Sequence, residues 1–170
     1  MAICILKSNK QLGVNFILTP ERYNPRRRMS IDNEDTILMS EIVEIVNDII
    51  TKKQAQGKSI IQINTSDAMG GYLNINSEVN DSINSNKKIL RKGDVIISRL
   101  RPYLRQVAYV DEDRKEILGA STEFFVIRAR NNESIAYLVP FLLSQPAQLV
   151  FENSVEGSPV SYTHLRAHET

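Results

Sequence analysis

Lys87-Lys88-Ile89-Leu90-Arg91-Lys92-Gly93-Asp94-Val95-Ile96-Ile97-Ser98-Arg99-Leu100-Arg101-Pro102-Tyr103-Leu104-Arg105 is the segment around which this chain is organised. It sets seven basic side chains against one acidic, a local net charge of +6, whereas all 170 residues together carry +1. The remainder is therefore net acidic. Charge concentrated on a near-neutral protein marks a local site for a polyanion. Lys92-Gly93-Asp94 reads as a tight turn, with Gly supplying positive φ and Asp bonding to nearby backbone. Val95-Ile96-Ile97 is apolar and β-branched, the pattern of a short buried strand. Alternation then begins. Arg99, Arg101, Tyr103 and Arg105 share one parity, and Leu100, Pro102 and Leu104 share the other. In an extended chain the first set lines one face, and Pro102 biases Arg101 away from the helical region. Three guanidinium groups and a phenol on one face suit phosphates and guanine edges. A solvated edge strand that uses charge to resist aggregation is the plainer alternative.

The totals narrow the classes. A chain of this length fits one domain with a proper core. No apolar run approaches the roughly 20 residues needed to span a bilayer, and the first residues lack the charged and apolar parts of a secretory signal. Cys4 is the single cysteine, which excludes an internal disulfide. A cytoplasmic protein with no membrane partner is expected. The two histidines, His164 and His168, both fall in the last seven residues. Their absence from the body removes Ser-His and Cys-His mechanisms and most zinc sites. As an i,i+4 pair they lack a third ligand. No GxxxxGK or GxGxxG loop is present, and Asn24-Pro25 is followed by Arg26, which is not an amino-methyltransferase motif. No cofactor is expected.

Residues 1–30 read as a lead-in ending in the basic run Arg26-Arg27-Arg28. The next segment, through residue 50, predicts a helical turn at 40–44 and a strand at 45–50, with Ser40 as cap. Residues 51–58 read as a connection and 59–64 as a strand. In 65–72, Ser66 or Asp67 caps a short turn that Gly70-Gly71 ends. A glycine pair beside Tyr72 suits a surface where another backbone comes close. Residues 74–86, with five Asn and three Ser, read as a loop. Beyond the basic segment, 106–110 is a strand, 111–115 a charged turn and 118–130 a strand through Phe124-Phe125-Val126-Ile127. Two such hairpin-like units predict a largely antiparallel, twisted sheet. Helical spacing follows over 135–143, Pro140 falling near a first turn or marking a break, and Pro146 starts a second helix through Phe151. Residues 31–160 are thus expected to be the domain, and 161–170, where the apolar pattern stops, a non-native tail.

The nearest catalytic set is nuclease-like: Asp94 with Asp113-Arg114-Lys115, an acid and an acid-x-Lys triplet able to hold a metal and a water. Its alternative is a hairpin tip.

Several motifs in order resemble the DNA-specificity subunits of type I restriction-modification systems, and in particular one of their target-recognition domains. These are residues 16–25, ending Arg22-Tyr23-Asn24-Pro25, and Ser40-Glu41-Ile42-Val43-Glu44-Ile45. Next come Ile61-Gln62-Ile63-Asn64-Thr65-Ser66-Asp67 with Gly70-Gly71, and Leu90-Arg91-Lys92-Gly93-Asp94-Val95-Ile96-Ile97-Ser98-Arg99 with 106–110. Residues 120–128, the helix at 137–144 and Gly157-Ser158 complete the set, over about 16–159. The resemblance implies an α+β domain with a twisted, mostly antiparallel sheet and peripheral short helices. It implies binding of one half of a bipartite site on double-stranded DNA, chiefly through the major groove, without catalysis. It also implies partners: modification subunits that bind S-adenosylmethionine and methylate a flipped adenine, and a restriction subunit that cleaves. Whole family members carry two such domains and two long spacer helices; here there is one domain, cut before the helix. The same domain fused to a methyltransferase or nuclease is the related alternative.

On this reading Lys87, Lys88, Arg91 and Lys92 contact phosphate, with Arg26 to Arg28 as further candidates. Arg99, Arg101, Tyr103 and Arg105, preceded by Ser98, contact base edges together with Ser66, Asp67, Gly70, Gly71 and Tyr72. A basic protein-binding module is the remaining alternative.

Overall fold

The computed structural model describes residues 37–75 and 78–154, with side chains in the last helix to Phe151. The lead-in at 1–30 with Cys4 and Arg26 to Arg28, Gly157-Ser158, the tail at 161–170 and both histidines lie outside the described residues. The chain divides into two units, Asn33–Gln148 on one side and Met1–Asp32 with Leu149–Thr170 on the other. The first is the domain described here; of the second, only the end of the last helix is described.

Short elements make up the domain. In order they are α1 (Met39–Ile42), β1 (Val43–Val46), β2 (Ile49–Ile50), α2 (Lys52–Ala55), β3 (Ile60–Ile63), β4 (Ala68–Met69), β5 (Tyr72–Leu73) and β6 (Val79–Asn80). There follow β7 (Lys87–Leu90), β8 (Val95–Ser98), β9 (Val107–Tyr109), β10 (Ile117–Ala120), β11 (Phe124–Ala129), α3 (Leu138–Leu143) and α4 (Gln145–Ser154). The class is mixed α and β, mostly antiparallel with few short helices. One sheet has the order β1-β11-β8-β9, antiparallel throughout, and the other β2-β7-β10-β3-β6. The parallel pair β10 and β3 departs from the expected hairpin-built antiparallel sheet. So does the jump of the chain from β10 in one sheet to β11 in the other.

Register and burial explain how the sheets close on each other. Val46 pairs with Val126, Val126 with Ile96, and Ile96 with Ala108, a row of inward residues across the first sheet. Leu90 and Ile61 flank Leu118 in the second. Together with Ile63, Ala120 and Phe124 these form the main core. The opposite parity of the second sheet, Ile50, Ile60, Ile89 and Ile117, packs on Ala55 and Ile83. Burial on both faces accounts for strands that read as apolar runs without alternation. Ala55 sits on α2, a helix in the segment read as a mere connection. Thr51 Oγ1 accepts from Gln54 N at 3.4 Å while Gln54 Oε1 accepts from Thr51 N at 2.9 Å, the capping box that T-x-x-Q encodes. The helical turn expected at 40–44 closes at Ile42, and the strand expected at 45–50 is divided at Asn47 and Asp48. Pro140 and Pro146 each lie in a first helical turn, where a missing N–H is harmless.

Candidate nucleic-acid interface

The basic segment does not form one face. It is distributed over three places, and the reason lies in the two sheets. Lys87 and Lys88 are 7% and 6% exposed, because β7 is covered on both sides. Lys88 has the parity of Leu90 and so faces the space between the sheets. Opposite Ala120 there is room for its stem, and Nζ donates to the Phe124 carbonyl across the gap at 2.8 Å. Lys87 points the other way. Its stem runs over Gly119, where an added Cβ would come within 3.2 Å of the Lys87 Cβ. Burial pushes the Lys87 amine below its ordinary pKa. The assignment of these two lysines to phosphate is therefore corrected: each is held inside the sheet, and Lys88 ties one sheet to the other.

The second place is the turn at 91–94, which forms as the sequence predicts, with Gly93 at φ +93°. Asp94 is 1% exposed. Its Oδ2 accepts from Arg91 N at 2.8 Å, and its two oxygens accept from Arg128 Nη2 and Nε, each at 2.8 Å. Arg128 Nη1 reaches Asp48 at 3.0 Å, and Asp48 also accepts from Arg91 Nη2 at 3.3 Å. Paired carboxylates hold the Arg128 guanidinium well above its ordinary pKa. This ladder closes one end of the space between the sheets, since Arg128 shares the parity of Phe124 and Val126. Both Asp94 oxygens are thereby committed, and Asp113 is exposed in the turn before β10. In the nuclease-like set, Asp94 is thus already bonded through both carboxylate oxygens. Arg91 is drawn onto Asp48, while Lys92 remains exposed. The sequence reading accounts for the bond from Asp94 to nearby backbone, whereas Arg128 and Asp48 lie far from it in sequence and no local signal marks them.

The third place is the loop between β8 and β9, at the other end of β8, about 13 Å from the 91–94 turn. Here the expected alternating strand is absent. Ser98 N donates to Gln106 O, so the ladder ends there and residues 99–105 bulge out. Pro102–Leu104 form a single 3₁₀ turn between Arg101 at φ +47° and Arg105 at φ +51°. Among described residues these are the two non-glycine residues with positive φ. Arg101 is thus left-handed, and not the extended residue that its place before Pro102 predicted. The i,i+2 face of arginines does not exist. Ser98 is buried and uses Oγ to hold Leu100 N at 3.1 Å. Arg99 lies over the Phe125 ring, 5.2 Å from its centroid. Arg101, Tyr103, Leu104 and Arg105 are exposed.

The loop at 65–72 is brought to the same end. Asp67 turns back to accept from Asn64 N at 2.6 Å, which closes the Thr65–Asp67 3₁₀ turn. Gly70 and Gly71, at φ +62° and +96°, form the two-residue connection between β4 and β5, as Gly-Gly does when both positions need positive φ. Another backbone does come close at Gly71, and it is the protein's own. Gly71 N donates to Val107 O at 2.9 Å, and Tyr109 N donates to Gly71 O at 3.3 Å. An added Cβ would stand 2.9 Å from Val139 Cγ1 on α3. The hairpin is thereby fixed beside Val107, two residues from Arg105. Ser66 and Tyr72 are exposed on it. So Arg101, Tyr103 and Arg105 are exposed in the loop that enters β9, while Ser66 and Tyr72 are exposed on a hairpin bonded along β9 itself. Lys92 is exposed on the turn at the far end of β8, and Lys87 and Lys88 are buried in β7.

Among the described residues no helix is long and apolar enough to cross a membrane. No family model matches the chain, and no curated protein does. Among solved structures, a chain of a complex described as the structural basis of complex assembly and conformational transition of the type I R-M system is similar. Identity is 24% and the TM-score 0.53, over 64% of this chain and 28% of that one. The chain therefore spans under a third of the solved chain it matches. What the two share is a fold, a mostly antiparallel α and β arrangement also found in a type I R-M complex.

Proposed function

We propose that the chain is a non-catalytic recognition module for double-stranded DNA that reads one half of a bipartite target for a restriction-modification system. Modification and restriction subunits of that system would be its partners. The observation that carries the reading is the exposure of Tyr103 and Arg105 in the loop that enters β9, and of Tyr72 on a hairpin bonded to that same strand. The likeness in fold to a type I R-M chain agrees with it. Arginine and tyrosine on preset loops are suited to base edges, and exposed Lys92 on the far turn is suited to phosphate.

The test is selection of bound duplexes from a random library by the intact chain at low salt. One short enriched block is expected. Recovery without enrichment would leave only charge attraction and would refute sequence recognition. With magnesium and plasmid added, no cleavage is expected.

A further inference from the structure

The β4–β5 hairpin has two unlike faces. Ala68 pairs with Leu73, and both pack in the core. Met69 pairs with Tyr72 on the other side, and these are 62% and 82% exposed. Residues directly opposite in such a pair hold their Cβ atoms roughly 5 Å apart, so a thioether and a phenol ring make one small apolar surface. Its carrier is rigid: Gly71 is bonded on both sides to β9 and lies against Val139. Solvent-exposed apolar pairs on a stiff hairpin mark a contact site.

Charge identifies the occupant. Arg105 and Tyr103, both exposed, follow in the loop whose base the hairpin touches. Asp67, which leads into the hairpin, is turned onto Asn64 N. An apolar tip on the strand that an arginine-bearing loop enters fits a polyanion that carries an apolar group in its recognition groove. The major groove admits a two-stranded ribbon, and the apolar group it displays is the 5-methyl of thymine. We infer that the Met69 and Tyr72 pair reads a pyrimidine 5-methyl group, so that the hairpin selects thymine through its methyl while the 99–105 loop supplies charge and polar contacts. This inference rests on the DNA-recognition reading.

The experiment keeps the two apart. The intact chain selects its site from random duplexes, and each thymine of that site is then replaced in turn by deoxyuridine, which lacks only the methyl. Affinity is expected to fall roughly three- to tenfold at one or two positions, the scale of one buried methyl. Tyr72→Ala should bind thymine and deoxyuridine duplexes alike, while Tyr72→Leu should retain the preference. Both substitutions are on an exposed tip, and circular dichroism melting checks that each variant folds. A selected site without thymine, or one indifferent to every deoxyuridine, overturns the methyl assignment while leaving DNA recognition standing. Loss of binding in Tyr72→Ala with no deoxyuridine effect would instead assign the pair to base stacking or to a protein partner, and would overturn it equally. Absence of any enriched site defeats the DNA reading itself.

Discussion

Replacing Asp94 by alanine should be among the most damaging single changes in the domain, although it removes few atoms. The carboxylate is 1% exposed and accepts three hydrogen bonds, two from Arg128 and one from Arg91 N. Breaking a buried ion pair from one side costs about 3–5 kcal/mol, because the surviving charge stays desolvated. Arg128, whose side chain is 18% exposed, keeps Asp48 at 3.0 Å, and Asp48 is itself 42% exposed. That residual partner places the ion-pair part near the lower bound, about 3 kcal/mol. The orphaned Arg91 N–H adds about 1 kcal/mol. A total of about 3–4 kcal/mol is expected, and with a urea slope of about 2 kcal/mol per molar the midpoint should fall by about 1.5–2 M. Asp94→Asn keeps an acceptor for Arg91 N and should lose about 2 kcal/mol. The cycle with Arg128→Met is the decisive part. Removing both members leaves no unpaired buried charge, so the double variant should be less damaged than the sum of the singles by about 2–3 kcal/mol. A loss below about 1 kcal/mol for Asp94→Ala, or additive losses, would refute the view that the ladder closes the core.

Gly71→Ala should lose about 2–3 kcal/mol, from positive φ and the Val139 contact together, whereas Gly70→Ala, with open space around it, should lose only about 1; thermal melting of the two compares them directly. Arg105→Gly relieves a left-handed arginine, so its melting temperature should hold or rise while affinity for the selected duplex falls; a parallel fall in both would make Arg105 structural. Lys87→Met should stabilise the protein at neutral pH. The folded amine is depressed, so the unfolded chain binds more protons between that value and the ordinary 10.5. Stability of the parent therefore rises with pH through that window, and the variant's advantage should shrink there. The same variant should leave the salt dependence of DNA binding unchanged, since a buried ammonium releases no counterions.

Much of the fold was written in local patterns. The turn at 92–94, the strands around Val95, Val107 and Phe124 and the helix after Ile135 follow from glycine, β-branched runs and apolar spacing. Those signals depend on neighbours in the chain. What escaped depends on neighbours across it. Lys87 and Lys88 looked solvated because lysine usually is. Nothing nearby in sequence announces a second sheet above them, a small Ala120 opposite one, or a glycine at 119 beneath the other. Residues 99–105 alternate well enough to be a strand, but only pairing makes a strand, and the ladder from β9 stops at Gln106. Gly70-Gly71 was rightly read as a point of close approach, yet the approaching backbone is β9 and not a ligand.

The local net charge of +6 in residues 87–105 is thus divided among different surroundings. Lys88 is spent between the sheets, and Arg91 on Asp48. Arg99 lies on Phe125. The charge offered at the loop end is accordingly smaller than the sequence suggests, and much of the exposed surface there is aromatic or apolar: Tyr72, Met69, Tyr103 and Leu104. On the proposed DNA-recognition reading, a surface of that kind would gain less from phosphates and more from the shape and methyl groups of the groove. Its binding should then lose less affinity with added salt than seven phosphate contacts would demand, a slope of about −6 on logarithmic axes. A measured slope that steep would mean that basic side chains beyond the exposed ones of this segment take part, either Arg26 to Arg28 or the lysines of β7 released by opening of that sheet.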